Sequence, residues 1–210
     1  MNKNLAFFMF LFLIVFSAGF LTGYFLERTG IIYTKNELEN LRNEIENMQI
    51  QEMFIAGENV DCRLLFSTMG KVSYDLYDLV KRLKDINPES PQFYSVKKQA
   101  DFLSLKAWII ARSIQEKCTK DIVPVLYFYS PSDCKECAKQ DEILQRIKQK
   151  YNQTLVYAVD YTLNEPAINL VKAAYEIKSV PSMIINHRLY GKLNESEIEN
   201  IICQQIECEN

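Results

Sequence analysis

Two cysteines separated by two residues, Cys134 and Cys137, are the side chains in this sequence best suited to chemistry. They stand between an apolar run, Ile122–Tyr129, and a segment with helical character, Ala138–Tyr151. A cysteine at a helix N-terminus meets unpaired backbone N–H groups and the positive end of the helix dipole, which favour thiolate over thiol. The thiolate is the attacking species in disulfide exchange, and a second thiol nearly one turn on can resolve the mixed disulfide. The spacing therefore predicts thiol-disulfide chemistry.

The segments around this pair must place it between a strand and a helix. Ile122–Ser130 is rich in Val, Leu, Tyr and Phe, as expected of a buried central strand. In Ala138–Tyr151 the apolar residues fall on one helical face. The later segments read, in order, as strand Leu155–Val159, helix Pro166–Ile177, strands Ser182–Asn186 and Arg188–Tyr190, and helix Asn194–Cys203. The sequence thus predicts an α/β domain with the order β-α-β-α-β-β-α.

This part of the chain, about Asp121–Asn210, resembles the thioredoxin superfamily. The motifs that carry the resemblance are the segment Tyr127–Cys137, the dipeptide Val180-Pro181, and Tyr190-Gly191-Lys192 before the last helix. The resemblance implies a thioredoxin-like βαβαββα fold with Cys134 as the exposed nucleophile and Cys137 as the more buried resolving thiol. It also implies that Pro181 is cis and packs beside the two sulfurs, and that an extended substrate pairs with the backbone of Val180.

The chain departs from thioredoxin itself around the cysteines. Asp133 replaces the usual Trp, Lys135-Glu136 replace Gly-Pro, and Phe128 stands where a buried acid is expected. Lys135 should lower the pKa of Cys134, whereas Asp133 and Glu136 should raise it. Two functions therefore remain open: a thiol-disulfide oxidoreductase that acts on protein cysteines, and a binding or scaffold module with a static disulfide. Neither needs a metal or a cofactor.

Two helices of similar length, about Val60–Asp85 and Gln92–Lys117, precede the α/β domain and form a helical hairpin over 59–118. The proline-containing segment Asn87–Pro91 must separate them, and a short connection makes them antiparallel. Cys62 and Cys118 then lie at the same end, so a disulfide between them is expected; the alternative is two unpaired thiols. The second helix could also take the place of the missing first helix of thioredoxin, which would make the hairpin part of the same globule.

Cys203 and Cys208 lie near the end of the given sequence, and at i,i+5 spacing in a continuous helix they would point to different faces. If the helix ends near Gln204, the tail can fold back and form a Cys203–Cys208 disulfide. An accessory exchange pair and two free thiols are the alternatives. A zinc site that combines these cysteines with Cys134 and Cys137 is disfavoured, because the two regions are not expected to meet.

The N-terminal segment Leu5–Leu26 carries no charged residue and is long enough to span the ~30 Å hydrocarbon core of a bilayer. It predicts a transmembrane signal anchor over 1–26; the alternative is a signal peptide cleaved near Ser17-Ala18-Gly19. Residues 27–58 are then expected to form an amphipathic stalk helix, with a dimeric coiled coil as the alternative, and 119–210 the thioredoxin-like domain. Six cysteines on a membrane-attached chain favour an oxidising compartment, so the soluble part is expected outside the cytoplasm. The alternative is a cytosolic protein with six reduced thiols.

The charge of the chain limits its partners. The net charge is −3 and no basic block is present, which gives no support for nucleic-acid binding. The expected partners are protein thiols and disulfides, a redox partner, and the membrane through the N-terminal segment. The sequons at Asn152 and Asn194 are compatible with an extracytoplasmic location.

Overall fold

The computed structural model describes residues 9, 11–23 and 61–208. The chain divides into two compact units, Met1–Phe54 and Ile55–Asn210. In the first unit, residues 11–23 form helix α1, in which the hydroxyls of Ser17 and Thr22 donate to carbonyl groups one turn earlier. No helix within the described ranges combines the length and the apolarity needed to cross a bilayer. The predicted anchor, 1–26, is described only in part, and the predicted stalk, 27–58, lies outside the described residues.

The second unit is a mixed α/β structure, and with α1 the described chain has six helices and a four-stranded mixed sheet. The helices are α2 (Cys62–Leu83), α3 (Pro91–Lys117), α4 (Cys137–Lys150), α5 (Pro166–Ala174) and α6 (Glu195–Cys203). The strands are β1 (Val123–Tyr129), β2 (Thr154–Asp160), β3 (Ser182–Ile185) and β4 (Arg188–Tyr190). From β1 onward the order is β-α-β-α-β-β-α, as the sequence predicts.

The sheet has the order β2-β1-β3-β4, with β1 at an interior position. Strand β1 runs parallel to β2, whose last residue, Asp160, pairs with Tyr129, and antiparallel to β3, whose Ser182 pairs with Phe128. Parallel pairing places the carboxyl ends of β1 and β2 together, and antiparallel pairing adds the start of β3 to the same edge. The segment with the C-x-x-C pair leaves the sheet at this edge.

Each face of the sheet is covered by helices, which explains why six of the seven residues of β1 are buried. On one face Leu126 and Phe128 pack in a core with residues of α2, α3 and α5, including Leu65, Trp108 and Ile168. On the other face, residues of β1 and β3 pack with α4 and α6. The members of this second core are Val123, Val125, Tyr127, Leu144, Ile147, Met183, Ile185, Ile198, Ile202 and Ile206.

Helices α2 and α3 form the expected hairpin. Helix α3 begins after Ser90, whose side chain accepts a hydrogen bond from the N–H of Phe93 at 3.1 Å, with Pro91 at the first helical position. The structure pairs Cys62 with Cys118 in a disulfide, with a Cα–Cα distance of 5.7 Å. Because Trp108 and Leu65 share a core with the sheet, the hairpin and the sheet belong to one globule, the arrangement expected if α3 replaces the missing first helix.

Candidate functional site

Cys134 and Cys137 form a disulfide at the N-terminus of α4, with a Cα–Cα distance of 5.3 Å. Cys137 is the first residue of the helix and is 5% exposed, whereas Cys134 lies in the preceding turn and is only half-buried. The more exposed cysteine is thus the residue for which the thioredoxin resemblance implies the nucleophilic role. Cys137 donates its N–H to the carbonyl of Cys134 at 3.2 Å, which closes the turn.

The N-terminus of α4 has no side-chain cap. Its N-cap residue, Glu136, has a helical backbone conformation and makes no capping hydrogen bond. Backbone N–H groups of the first helical turn have no carbonyl partner within a helix, and they carry the positive end of its dipole. This end of α4 is therefore suited to stabilise a thiolate that forms at Cys134 when the disulfide opens.

Glu136, between the two cysteines, forms ion pairs with two lysines. Lys192, in the loop after β4, donates a hydrogen bond to its carboxylate, and Lys139 lies 3.8 Å from it. The hydrogen bond from Lys192 and the charge of Lys139 lower the pKa of Glu136. Glu136 therefore stays ionised, but its charge is offset by two cations. Sequence reasoning missed Lys192 as a partner of this residue, although it falls in the Tyr190-Gly191-Lys192 motif.

The loop after β4 is also tied to α4 by Gln140. The side chain of Gln140 is 1% exposed, and its Oε1 accepts a hydrogen bond from the backbone N–H of Leu193 at 3.0 Å. Gln140 lies one turn after Cys137, so this bond fixes the loop against the first turns of the helix. With the contact between Lys192 and Glu136, it gives the loop two attachments to the C-x-x-C helix.

Tyr127 links strand β1 to the first residue of α4. Its ring is 2% exposed within β1, and its hydroxyl donates a hydrogen bond to the carbonyl of Cys137 at 2.9 Å. Burial raises the pKa of Tyr127, with a further contribution from Asp141, so the hydroxyl stays protonated as a donor. The sequence marks Tyr127 only as a strand residue, because the bond depends on how α4 packs on the sheet.

The Val180-Pro181 peptide bond is cis, as the resemblance to the thioredoxin superfamily implies. Pro181 is buried and immediately precedes β3, while Val180 is half-buried. The pairing of Ser182 with Phe128 places Pro181 opposite the end of β1, at the sheet edge from which the C-x-x-C segment leaves. The structure thus brings Val180, Pro181 and the cysteine pair to one end of the domain.

The other cysteines pair with each other and not with the C-x-x-C pair. The predicted Cys203–Cys208 disulfide is present, with a Cα–Cα distance of 5.3 Å, and α6 ends at Cys203. Together with the Cys62–Cys118 disulfide, this leaves no free cysteine in the described part of the chain. Among the residues that the structure describes, no group of three or more His, Cys, Asp or Glu side chains could hold a metal ion.

A buried ionic cluster, which sequence reasoning missed, lies near the same sheet edge. The Nζ atom of Lys97 lies 2.6 Å from Asp101 and 3.4 Å from Asp160. Burial raises the pKa of Asp101 to about 6, against the opposing effect of Lys97. Burial acts to lower the pKa of Lys97, but the charge of Asp101 and the hydrogen bonds with Asp101 and Tyr129 outweigh it, and the pKa is raised. The only sequence signal was the i,i+4 spacing of Lys97 and Asp101.

Comparison with known proteins does not identify this site. No protein-family model matches the chain, and no curated protein matches it. One solved structure, described as the structure of a malarial protein, is similar over 40% of this chain and 97% of its own, with 18% sequence identity and a TM-score of 0.34. A likeness of that degree says nothing about function, which therefore has to be inferred from the residues and their geometry.

Proposed function

We propose that this protein is a thiol-disulfide oxidoreductase of the thioredoxin superfamily that exchanges disulfides with protein thiols through Cys134 and Cys137. The observation that carries the proposal is the pairing of a half-exposed Cys134 with a buried Cys137 at the uncapped N-terminus of α4. Two further features support it: the order β-α-β-α-β-β-α, and the position of Pro181 at the same sheet edge.

The proposed reaction has two exchange steps. In the reducing direction, the Cys134 thiolate attacks a substrate disulfide, forms a mixed disulfide and releases one substrate thiolate. The Cys137 thiol then loses its proton to solvent or a base, and its thiolate attacks the Cys134 sulfur. This second step forms the Cys134–Cys137 disulfide and releases the other substrate thiolate. The substrate is reduced and the cysteine pair is oxidised, so a dithiol partner must restore the pair. In the oxidising direction both steps run in reverse.

The residues around the pair have separate roles in this scheme. The first turn of α4 stabilises the attacking thiolate through its N–H groups, and Lys192 and Lys139 offset the charge of Glu136. Tyr127 and Gln140 hold the first turns of the helix and the adjoining loop in position. Val180 and Pro181 lie at the same sheet edge, where the backbone of an extended substrate is proposed to bind.

A binding or scaffold module with a static disulfide is the second candidate. It is favoured by Phe128, which is fully buried where an acid would help to deprotonate the resolving thiol. Reduction of insulin disulfides by the full-length protein, with dithiothreitol as the electron source, separates the two functions. An oxidoreductase should accelerate reduction over the reagent alone, and Cys134→Ser should abolish the gain while Cys203→Ser/Cys208→Ser keeps it. No gain by the unmodified protein would favour the static module.

We further propose that the protein is attached to the membrane by its N-terminal segment and that its cysteines lie outside the cytoplasm. The uncharged run Leu5–Leu26 supports the attachment, and the pairing of all six cysteines suits an oxidising compartment. A membrane-impermeant thiol reagent, applied to intact cells after mild reduction, should label the protein. Labelling that appears only after lysis would place the cysteines inside.

A further inference from the structure

Lys97, Asp101 and Asp160 form a charged cluster inside the protein. The side chains of Asp101 and Asp160 are each 6% exposed, and the Lys97 side chain is 15% exposed. Asp160 Oδ1 also accepts hydrogen bonds from the N–H and hydroxyl of Thr162 at 2.9 and 2.7 Å. Buried charges destabilise a fold unless they are paired, and here one cation serves two carboxylates. With both acids ionised, the cluster keeps a net charge of −1.

A continuous series of contacts joins this cluster to the C-x-x-C helix. Lys97 Nζ lies 5.1 Å from the ring centroid of Tyr129, the β1 residue that pairs with Asp160. The Tyr129 ring stacks on Tyr127, with centroids 5.9 Å apart, and the Tyr127 hydroxyl bonds to the carbonyl of Cys137. The charges of α3 thus lie at the sheet edge from which the cysteine pair leaves, and their burial limits screening by water.

The position of the cluster gives α3 a role that β1 does not fill. The strand residue at the position of the expected acid is Phe128, which is apolar and fully buried. The charges at the base of the site come from the helical hairpin and from β2 instead. A negative charge in the cluster disfavours a thiolate at the cysteine pair, and so disfavours the reduced state of the pair. A positive charge favours the thiolate and the reduced state.

We propose that Lys97 and Asp101 are positioning residues that set the net charge beneath the C-x-x-C site and thereby tune its reduction potential. This inference rests on the proposed oxidoreductase function. It assigns the α2–α3 hairpin a part in the chemistry besides its packing on the sheet. The two residues act through Tyr129 and Tyr127 and not by contact with a substrate.

The test is the equilibrium of the full-length protein with glutathione redox buffers at pH 7.5, with variants of opposite charge change. Asp101→Asn removes a negative charge and should shift the equilibrium about threefold toward the dithiol, which is about 14 mV toward a more oxidising potential. Lys97→Gln removes the positive charge and should shift it toward the disulfide. Because Lys97 also opposes the rise in the pKa of Asp101, its loss lets Asp101 take up a proton near this pH, so this shift should be smaller and should grow as the pH is raised. The double variant restores the net charge of −1 and should return close to the unmodified protein.

Lys98→Gln is the matched control, because Lys98 is the next residue on α3 and its partner, Glu165, is outside the cluster. It should leave the equilibrium unchanged. A purely structural role for Lys97 and Asp101 predicts shifts of the same sign or none, and either result would overturn the inference. If one single variant does not fold, the other single variant and the double variant still test the inference, because adding the second substitution should reverse the shift in the equilibrium that the first one causes. If the unmodified C-x-x-C disulfide does not exchange with glutathione at all, the proposed function itself fails.

Discussion

The hydroxyl of Tyr127 donates a hydrogen bond to the backbone carbonyl of Cys137, 2.9 Å away, and so joins the central strand to the first residue of the C-x-x-C helix. The bond is inaccessible to water, because Tyr127 is 2% exposed and Cys137 5%. The position of the Tyr127 ring is therefore coupled directly to the backbone of Cys137.

Tyr127→Phe removes this bond without changing the shape of the ring. We expect the free energy of unfolding to fall by about 1 kcal/mol, the usual net contribution of a buried hydrogen bond. Urea unfolding of the oxidised protein measures the effect. Tyr157→Phe is the matched control, because the Tyr157 hydroxyl donates its hydrogen bond, among the described residues, to the sulfur of Met69, at 3.8 Å. An equal loss in both variants would contradict a specific role for the Cys137 contact.

Replacement of either cysteine of the pair should separate their roles. Cys137→Ala leaves the mixed disulfide on Cys134 without a resolving thiol, so disulfide-linked adducts with client proteins should accumulate. Cys134→Ala should trap far fewer, because Cys137 is buried. Non-reducing gel electrophoresis of both variants, after thiols are blocked, measures the adducts. Equal trapping by both would rule out the assignment of nucleophile and resolving thiol.

The two remaining disulfides should stabilise the protein to different extents. In the chain-entropy model, the long loop closed by Cys62–Cys118 is worth about 4 kcal/mol and the short loop closed by Cys203–Cys208 about 2 kcal/mol. The corresponding double Cys→Ser variants should lose these amounts and keep their insulin-reducing activity. Denaturant unfolding and the activity assay test both statements. Loss of activity in a variant that is still folded would connect that disulfide to the redox site.

Lys192 should influence the reactivity of Cys134 through Glu136. Lys192→Met removes the hydrogen bond that lowers the pKa of Glu136 and leaves its charge less compensated beside the cysteines. In the reduced protein, we expect the pKa of the Cys134 thiol to rise and its alkylation at pH 7 to slow roughly twofold. Lys150→Met, which removes an ion pair with Glu199 on α6, is the control and should leave the rate unchanged. Faster alkylation of Lys192→Met would reverse the predicted sign.

The stability of the fold should depend on the titration of Asp101. This carboxyl faces Lys97 on its own helix, Asp160 on β2 and Tyr129 on β1, and burial raises its pKa to about 6. A raised pKa means that the folded state binds the proton more tightly than the unfolded state does. Protonated Asp101 therefore stabilises the fold below about pH 4, and this stabilisation is lost as the pH rises through 6. Between pH 4 and pH 7 the free energy of unfolding of the unmodified protein should fall by up to about 3 kcal/mol relative to that of Asp101→Asn.

Unfolding in urea at both pH values measures this difference. Asp78→Asn, at an exposed ion pair with Arg82, is the control and should show no such change relative to the unmodified protein. A constant difference between the unmodified protein and Asp101→Asn across the range would mean that Asp101 does not titrate there. A difference of opposite sign would mean that the ion pair with Lys97 outweighs burial.

The features that the sequence predicted are those set by local patterns. The break at Asn87–Pro91 and the periodicity of the flanking helices predict the hairpin, and its antiparallel geometry predicts the neighbouring positions of Cys62 and Cys118. Boundaries were less accurate, because they depend on individual backbone angles. Helix α5 ends at Ala174 and not at Ile177, since Glu176 has a left-handed conformation with φ of 53°.

The contacts that the sequence did not predict join elements far apart along the chain. The bond between Gln140 and Leu193 depends on the approach of the loop after β4 to α4, and the contact between Lys97 and Asp160 depends on the packing of α3 at the sheet edge. No spacing within a single helix or strand contains this information. The cysteine pair was visible because its two partners are neighbours in sequence.

The disulfide between Cys62 and Cys118 makes the hairpin a covalent ring. The turn between α2 and α3, with Asn87 and Glu89 exposed, lies within that ring. A protease that nicks this turn opens the backbone but releases no fragment, because the two pieces stay linked at the other end of the helices. Such a nick becomes visible as two separate chains only after a reductant opens the ring, so the integrity of the polypeptide has to be judged under reducing conditions.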